Sequence, residues 1–509
     1  MSSPWGLGIG AAIVMGALLG LPALILVPVI VLIVQGIWGR IDVTFLLVVA
    51  VCAGLGAGRA TMEGEPAVPA DLAESTGARL QVESLPRTSA AGDSVLVSTE
   101  MLTFDSGSRP ADDLIVLAWL PEGERVAPGD SFDVGWSVDP LDVVDPGYGT
   151  YVESRGAVAV GRIWWLSDRS DGSAFYRRLI DLRHRVGDGL QKVLPGDAGA
   201  LASGIVTGDD SGLSEAAREA FLRTGTTHIT AVSGSNVAML LAIWNLVIPA
   251  GRNRRLLVVQ ALIIVSIWMY AIVVGLESPA LRAAIMASLI LLAGRYGRRP
   301  DLLTLLALTS AGMVLWNPDH VRMVAFWLSV VATAAIIMRV PTAPGVGWKP
   351  LSRGVLEGVV LAQIATLPIV LWTFGTWSLT SVLANGLLSP LMWLAFPLCF
   401  VLAAIVVVVP WIAPIAALVP LIPLEISLSV VRILGAAMPP LDFHNAGLAG
   451  VVAVAVPCLA GLAFLGSDPK RWGGIVASQW RRRPVAVVAL LIGPALGFLT
   501  ALLLVLVRA

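Results

Sequence analysis

Residues 221–240, FLRTGTTHITAVSGSNVAML, set His228 and then Ser233, Gly234, Ser235 and Asn236 into an otherwise apolar run. Their hydroxyl, amide and imidazole groups offer hydrogen bonds where lipid offers none. The same residue types recur in later apolar runs: Glu277, Ser278 and Arg282, then Ser329 and Thr333, Gln363 and Thr366, and Asn385. A charge at mid-membrane costs about 2.5–3.5 kcal/mol on insertion scales, so Arg282 needs a partner, water or an anion. Two uses fit it: contact with a passing phosphate, or a structural pair with Glu277 that holds two spans together. Ser233-Gly234-Ser235 serves equally as polar lining or as a close helix contact, since small residues let backbones approach. His228 precedes its span and reads either as a satisfied interfacial histidine or as part of the lining.

Catalytic chemistry is not expected. The histidines (His184, His228, His320, His444) are scattered, and the three cysteines (Cys52, Cys399, Cys458) lie in apolar runs with no CxxC pattern. The lysines, Lys192, Lys349 and Lys470, never follow glycine, so a P-loop is absent and no energy-coupling motif is present. The expectation is a protein that is not an enzyme and holds no cofactor or metal.

The elements that carry these residues follow from composition. Of 509 residues, 56% are hydrophobic and only 14% charged, with mean hydropathy +0.82. Soluble domains carry about 25% charged residues, so the expected fold class is a polytopic α-helical membrane protein. Residues 1–59 are N-terminal membrane segments, roughly 5–20, 22–37 and 43–59, interrupted at Pro22 and Pro28. They lack a basic n-region and a clear cleavage site and read as retained spans.

Residues 60–172 change character. Short runs at 79–83, 94–99, 114–120, 130–138 and 157–165 alternate with Gly, Pro and Asp turns and predict five strands. Five short strands suit a small β-barrel of OB type, or a generic sandwich-like insert. Residues 173–197 then predict a basic amphipathic helix with Tyr176, Leu179, Leu182, Val186, Leu190 and Val193 on one stripe. Such a helix lies at a membrane interface or packs on the membrane domain.

Further spans are predicted at roughly 229–249, 256–276, 280–294, 302–316, 323–338, 355–374, 380–408, 411–436, 447–466 and 485–507, with 380–408 long enough to break at Pro390 or Pro397. Residues 198–467 form the main membrane domain, and 468–509 a basic loop and final span. Lys and Arg cluster in alternate loops (Arg252, Arg254 and Arg255; Arg295, Arg298 and Arg299; Arg339, Lys349 and Arg353; Lys470, Arg471 and Arg481 to Arg483). The positive-inside rule makes that side cytoplasmic, with the N-terminus, and puts the β domain outside the cytoplasm of a multi-pass cytoplasmic-membrane protein.

Five stretches in this order resemble the ComEC family of DNA-uptake channel proteins. They are 128–159, 201–236 (LASGIVTGDDSGLSEAAREAFLRTGTTHITAVSGSN), 275–286 (GLESPALRAAIM), 317–336 and 363–391. The resemblance implies an extracytoplasmic OB-like domain ahead of a competence-type membrane domain. It implies passage of single-stranded DNA during natural transformation, with a separate cytoplasmic DNA motor and envelope DNA-receptor proteins as partners. Two departures stand out. Asn236 occupies a position where many members carry His, and Asn cannot titrate. The C-terminal metallo-β-lactamase-like domain of longer members, with its HxHxDH ligands, is not expected in this chain.

The β domain itself argues against binding DNA. Residues 60–172 hold 20 Asp or Glu against 7 Arg and no Lys, and affinity for DNA comes largely from neutralised phosphates. Trp119, Trp136, Trp164 and Trp165 offer stacking surfaces, but aromatics in short strands are ordinarily core. Two other functions remain open: a transporter or flippase for another solute or lipid, and a membrane scaffold of an envelope complex. Oligomeric state is not legible.

Overall fold

A computed structural model describes residues 68–442, apart from 70, 90–91, 112–113, 122, 145–147, 150–151, 154, 231–233, 249–256, 298–299, 318–319, 321–322 and 340–347. The N-terminal segments, the spans expected at 447–466 and 485–507, and Ser233 lie outside the described residues. The chain forms two compact units. Of the described residues, the first holds those up to 214, 229–326 and 394–424, and the second 215–228, 327–393 and those from 425 on.

The first unit opens with seven strands: β1 (Gly77–Val82), β2 (Arg87–Ser89), β3 (Gly92–Phe104), β4 (Gly107–Pro110), β5 (Ile115–Trp119), β6 (Ser131–Pro140) and β7 (Ala159–Ser170). The five expected strands correspond to β1, β3, β5, β6 and β7. β2 and β4 are additions, short arms that both pair with the long β3. Pairing runs β1-β6-β7-β5-β3, and β3 also pairs with β1, so the hydrogen-bonded path returns to its start. β5 and β7 are parallel and the other pairs antiparallel. Alternation supplies the core. Phe132, Val134, Trp136 and Val138 of β6 point inward with Ala159 and Ile163 of β7, against Leu80, Val97 and Val116. Gly161 makes room for the Trp136 ring, since a Cβ there would sit 3.1 Å from the indole. Trp136 in turn donates from Nε1 to Ser75 Oγ at 3.2 Å.

Two of the tryptophans depart from the core expectation. Trp164 and Trp165 are 59% and 54% exposed. A register shift at Gly135/Trp136 in the β6–β7 pair breaks strict alternation, and the Trp165 indole occupies the space a side chain on Gly135 would need.

A buried carboxylate fastens the sheet to the first helix, α1 (Ala174–Val193). Asp130 is fully buried and accepts from Arg169 Nη2 (2.7 Å), Arg177 Nη2 (3.0 Å), Gly172 N (2.8 Å) and Ala127 N (3.0 Å). Burial alone pushes this carboxyl up. The Gly172 and Ala127 N–H groups and the Arg169 guanidinium outweigh burial and hold it below the ordinary carboxylate value. Of its expected stripe α1 buries Leu179, Val186 and Leu190, leaves Tyr176 and Val193 half-buried and Leu182 exposed, and buries Ile180, which the stripe did not include. It packs through Gly187 on Ser203 of α2 (Gly196–Thr207), and Gly189 meets Val406.

α2 is buried from Ala198 to Thr207, its Ala, Gly and Ser leaving room for close neighbours and its Leu201, Ile205 and Val206 filling the core. The first unit continues with α4 (Gly234–Val247), α5 (Leu257–Val273), α6 (Ser278–Arg295) and α7 (Leu302–Trp316), where Asp301 caps α7 by accepting from Thr304 N at 2.8 Å. α3 (Glu215–Arg223) belongs to the second unit, as do most of α8 (Val324–Arg339) and all of α9 (Trp348–Phe374). There Ala335 of α8 packs with Leu361 and Ala365 of α9. α10 (Ser381–Val408) is one continuous helix of 28 residues, unbroken at Pro390 and Pro397; apolar helices tolerate proline where neighbours satisfy the freed carbonyl. The single span expected at 411–436 divides into a turn at Pro410–Ile412, α11 (Ala413–Ala416) and α12 (Leu418–Ala437). In the second unit Thr376–Trp377 (β8) pairs with Leu441–Asp442 (β9).

Candidate polar site in the membrane helices

In the first unit the polar candidates lie where apolar helices begin. α5 ends in a turn in which Leu276 N donates to Ala271 O (2.8 Å) and Gly275 N to Ile272 O (3.0 Å). Gly275 takes φ +87, which a glycine adopts without a Cβ clash. Leu276 follows at φ 53, Glu277 is extended, and Pro279 starts α6. The Gly-Leu-Glu-Ser-Pro order is thus a stop, a turn and a start.

That turn sends Glu277 and Arg282 in different directions. Glu277 Oε1 accepts from Arg155 Nη1 at 3.2 Å and lies 3.7 Å from Arg87 Nη1, both from the sheet domain. The expected Glu277–Arg282 pair is thereby corrected: an extended residue ahead of the helix cannot share the face that Arg282 presents one turn in. Arg282 is buried. Its Nη1 lies 3.5 Å from Met286 Sδ, and its Nη2 reaches the first residue of α4, where a Cβ on Gly234 would be 3.0 Å away. Ser278 Oγ is buried and has no hydrogen-bond partner among the described residues.

Two residues further along α4, buried Asn236 donates from Nδ2 to Tyr270 Oη at 2.8 Å, and Tyr270 Oη donates to the Ile205 carbonyl at 3.4 Å. The Tyr270 ring packs edge-on to Phe400 and Phe396. One hydroxyl therefore links α2, α4 and α5. Ser235 beside it is exposed. Tyr270 was not among the residues singled out by sequence, since an aromatic in an apolar run carries no signal of its partners.

Side-chain hydrogen bonds within the first unit hold parts of the 201–236 block. Gly208 ends α2 at φ +78, Asp210 accepts from Thr230 Oγ1 (2.8 Å), and Asp197 accepts from Ser214 N (2.8 Å) and Oγ (2.9 Å).

The second unit holds the other candidates. His228 lies beside the Asn385 side chain. Asn385 is buried near the start of α10 and donates to Ser381 O at 2.9 Å. Around them lie buried hydroxyls that sequence reading passed over: Thr224 and Thr226, 2.7 Å apart, and Ser378 and Thr380, 2.9 Å apart. Gly225, at φ +63, seats this loop against Ser381. Ser329 on α8 and Gln363 on α9 are half-buried, and Thr366 Oγ1 bonds back to Ala362 O at 2.8 Å. Among the described residues no three His, Cys, Asp or Glu side chains group as metal ligands.

α6, the 357–374 part of α9, α10 and α12 are long and apolar enough to cross a bilayer, with shorter apolar helices beside them. Together with the sheet domain they define a polytopic membrane protein. Residues 205–468, just over half of the chain, match the family described as Competence protein, and the chain belongs to that family. It is similar to "ComE operon protein 3" of Bacillus subtilis (strain 168), 26% identical over 223 residues, covering 43% of this chain and 28% of that protein. It is also similar to "Uncharacterized protein YcaI" of Escherichia coli (strain K12), 29% identical over 223 residues, covering 41% of this chain and 29% of that one. The match thus spans under a third of either relative. No solved structure matches.

Proposed function

We propose that this protein is a channel of the cytoplasmic membrane that passes single-stranded DNA inward during natural transformation. The observation that carries the reading is Arg282: a buried guanidinium in an apolar helix, laid against the glycine that starts α4, within the family-matched region. Guanidinium forks match phosphate geometry, and small residues at a helix start leave room for a passing backbone. Gly234, Ser235, Asn236 and Ser278 flank it. His228, Ser329, Gln363 and Asn385 supply the polar positions of the second unit, and Ser233 belongs to the set by its place in the sequence.

In this reading residues 60–172 form an extracytoplasmic OB-like barrel. The closed pairing path with its parallel β5–β7 contact supports the barrel. The ion pairs from Arg155 and Arg87 to Glu277 support an outward sheet domain, since the 277–279 turn belongs to the loops poor in basic residues. The β8–β9 pair supports the same topology by joining two such loops. Work is supplied by a separate cytoplasmic motor, and envelope receptors deliver the strand.

The test is entry of labelled DNA into the cytoplasm of a transformable deletion strain, complemented at matched membrane levels. Wild type restores entry, Arg282→Ala falls at least tenfold, and Arg282→Lys recovers only part, because a point charge lacks the fork. Normal entry with Arg282→Ala removes Arg282 from the path. Unchanged entry on deletion overturns the channel itself and leaves the transporter and scaffold readings.

A further inference from the structure

We infer that the sheet domain carries a saccharide-binding pocket on the outer face of β5, β6 and β7, apart from any DNA path. The pocket has a volume of about 500 Å³, within the roughly 300–1,000 Å³ of small-molecule sites. Register builds it. Trp119 of β5 stands opposite Arg162 of β7, which stands opposite Ser137 of β6, so the three side chains form one row. Trp164 and Asp139, two positions along, complete the face, and Tyr148 closes it from the β6–β7 connection. The Arg162 guanidinium lies 6.0 Å over the Trp164 ring. That contact sets the indole beside the pocket, and Trp164 is exposed there.

The chemistry selects the ligand class. Indole and phenol faces carry negative quadrupole charge and stack on the polarised C–H faces of pyranose rings. Asp139, Ser137 and Arg162 supply an acceptor, a two-way group and a fork of donors, the set that reads adjacent ring hydroxyls. One carboxylate and one guanidinium make the lining close to neutral, inside a domain with 20 acidic residues against 7 Arg. A polyanion would meet a repulsive field here, because phosphate binding needs neutralising cations; a neutral glycan meets none. The exposure of Trp164, unexpected for an aromatic in a short strand, is then a use rather than a defect.

The test is isothermal titration of the full chain in nanodiscs with chitotetraose, cellotetraose and maltotetraose, and with a dT12 oligonucleotide at low salt. Saturable binding of at least one tetrasaccharide is expected, weakened at least tenfold by Trp164→Ala. Ser137→Trp should abolish it by filling the pocket without removing a ring. dT12 should neither bind there nor displace the sugar. Failure of all three sugars, binding indifferent to both substitutions, or displacement by dT12 overturns the inference, the last in favour of a nucleic-acid surface.

Discussion

Tyr270→Phe isolates the hydroxyl that ties three helices together. The ring keeps its packing on Phe396 and Phe400, with centroids 6.3 and 5.4 Å away, so the change removes hydrogen bonds and little else. Two are lost, the 2.8 Å bond from Asn236 Nδ2 and the longer 3.4 Å bond to Ile205 O. Hydrogen bonds between membrane helices average about 0.6 kcal/mol and reach about 1.7. The short bond belongs toward the upper end and the long one toward the lower, so Tyr270→Phe should cost about 1–2 kcal/mol. That is roughly a 5–30-fold change in the folded-to-unfolded ratio. A double-mutant cycle with Asn236→Ala in equilibrium SDS unfolding from mixed micelles measures the Asn236–Tyr270 term directly. Its coupling should be about 0.6–1.7 kcal/mol. A coupling under about 0.3 kcal/mol, the level of independent sites, would refute the link.

Gly199→Ala should sharply reduce the folded yield on size exclusion in detergent. Its Cβ would lie 2.8 Å from Leu194 O and 2.9 Å from Gln191 Cα, backbone that cannot turn aside. Gly312→Ala, with nothing within 4 Å, should instead gain up to about 1 kcal/mol of helix propensity in the same unfolding assay. Because the folded Asp130 carboxyl is held below its unfolded value, its contribution is full above the ordinary carboxylate range and is lost as pH falls through the depressed value. Asp130→Asn should therefore cost about 1–3 kcal/mol at neutral pH and flatten the acid limb of an unfolding titration; an unchanged acid limb would count against the clamp. Glu277→Ala should change stability by less than about 1 kcal/mol, because its pair with Arg155 is partly solvated. A larger loss by thermal denaturation would mean the pair bears more than its exposure implies.

Legibility differed by element. The presence of the long apolar helices could be read from hydropathy, which is local, but their breaks could not: α10 runs on through Pro390 and Pro397, and the 411–436 stretch divides. β6 and β7 could also be read, since their alternation survives to the register shift. β2 and β4 could not, because they are short and exist only by pairing with β3. Trp164 and Trp165 misled, because which face of a strand is buried depends on the strands beside it.

The site divides in the same way. Sequence by itself determined that polar residues punctuate the apolar runs and that the sheet domain is acidic, because these are properties of composition and spacing; 201–236 and 275–286 stood out through their resemblance to the ComEC family. Only the tertiary structure decided that Glu277 answers to Arg155 and Arg87 rather than to Arg282. It alone brought Tyr270 to Asn236, His228 to Asn385, and Trp119, Arg162 and Ser137 into one row. Partner choice between residues tens to hundreds of positions apart is set by helix phase and strand register, and neither is written in any single segment.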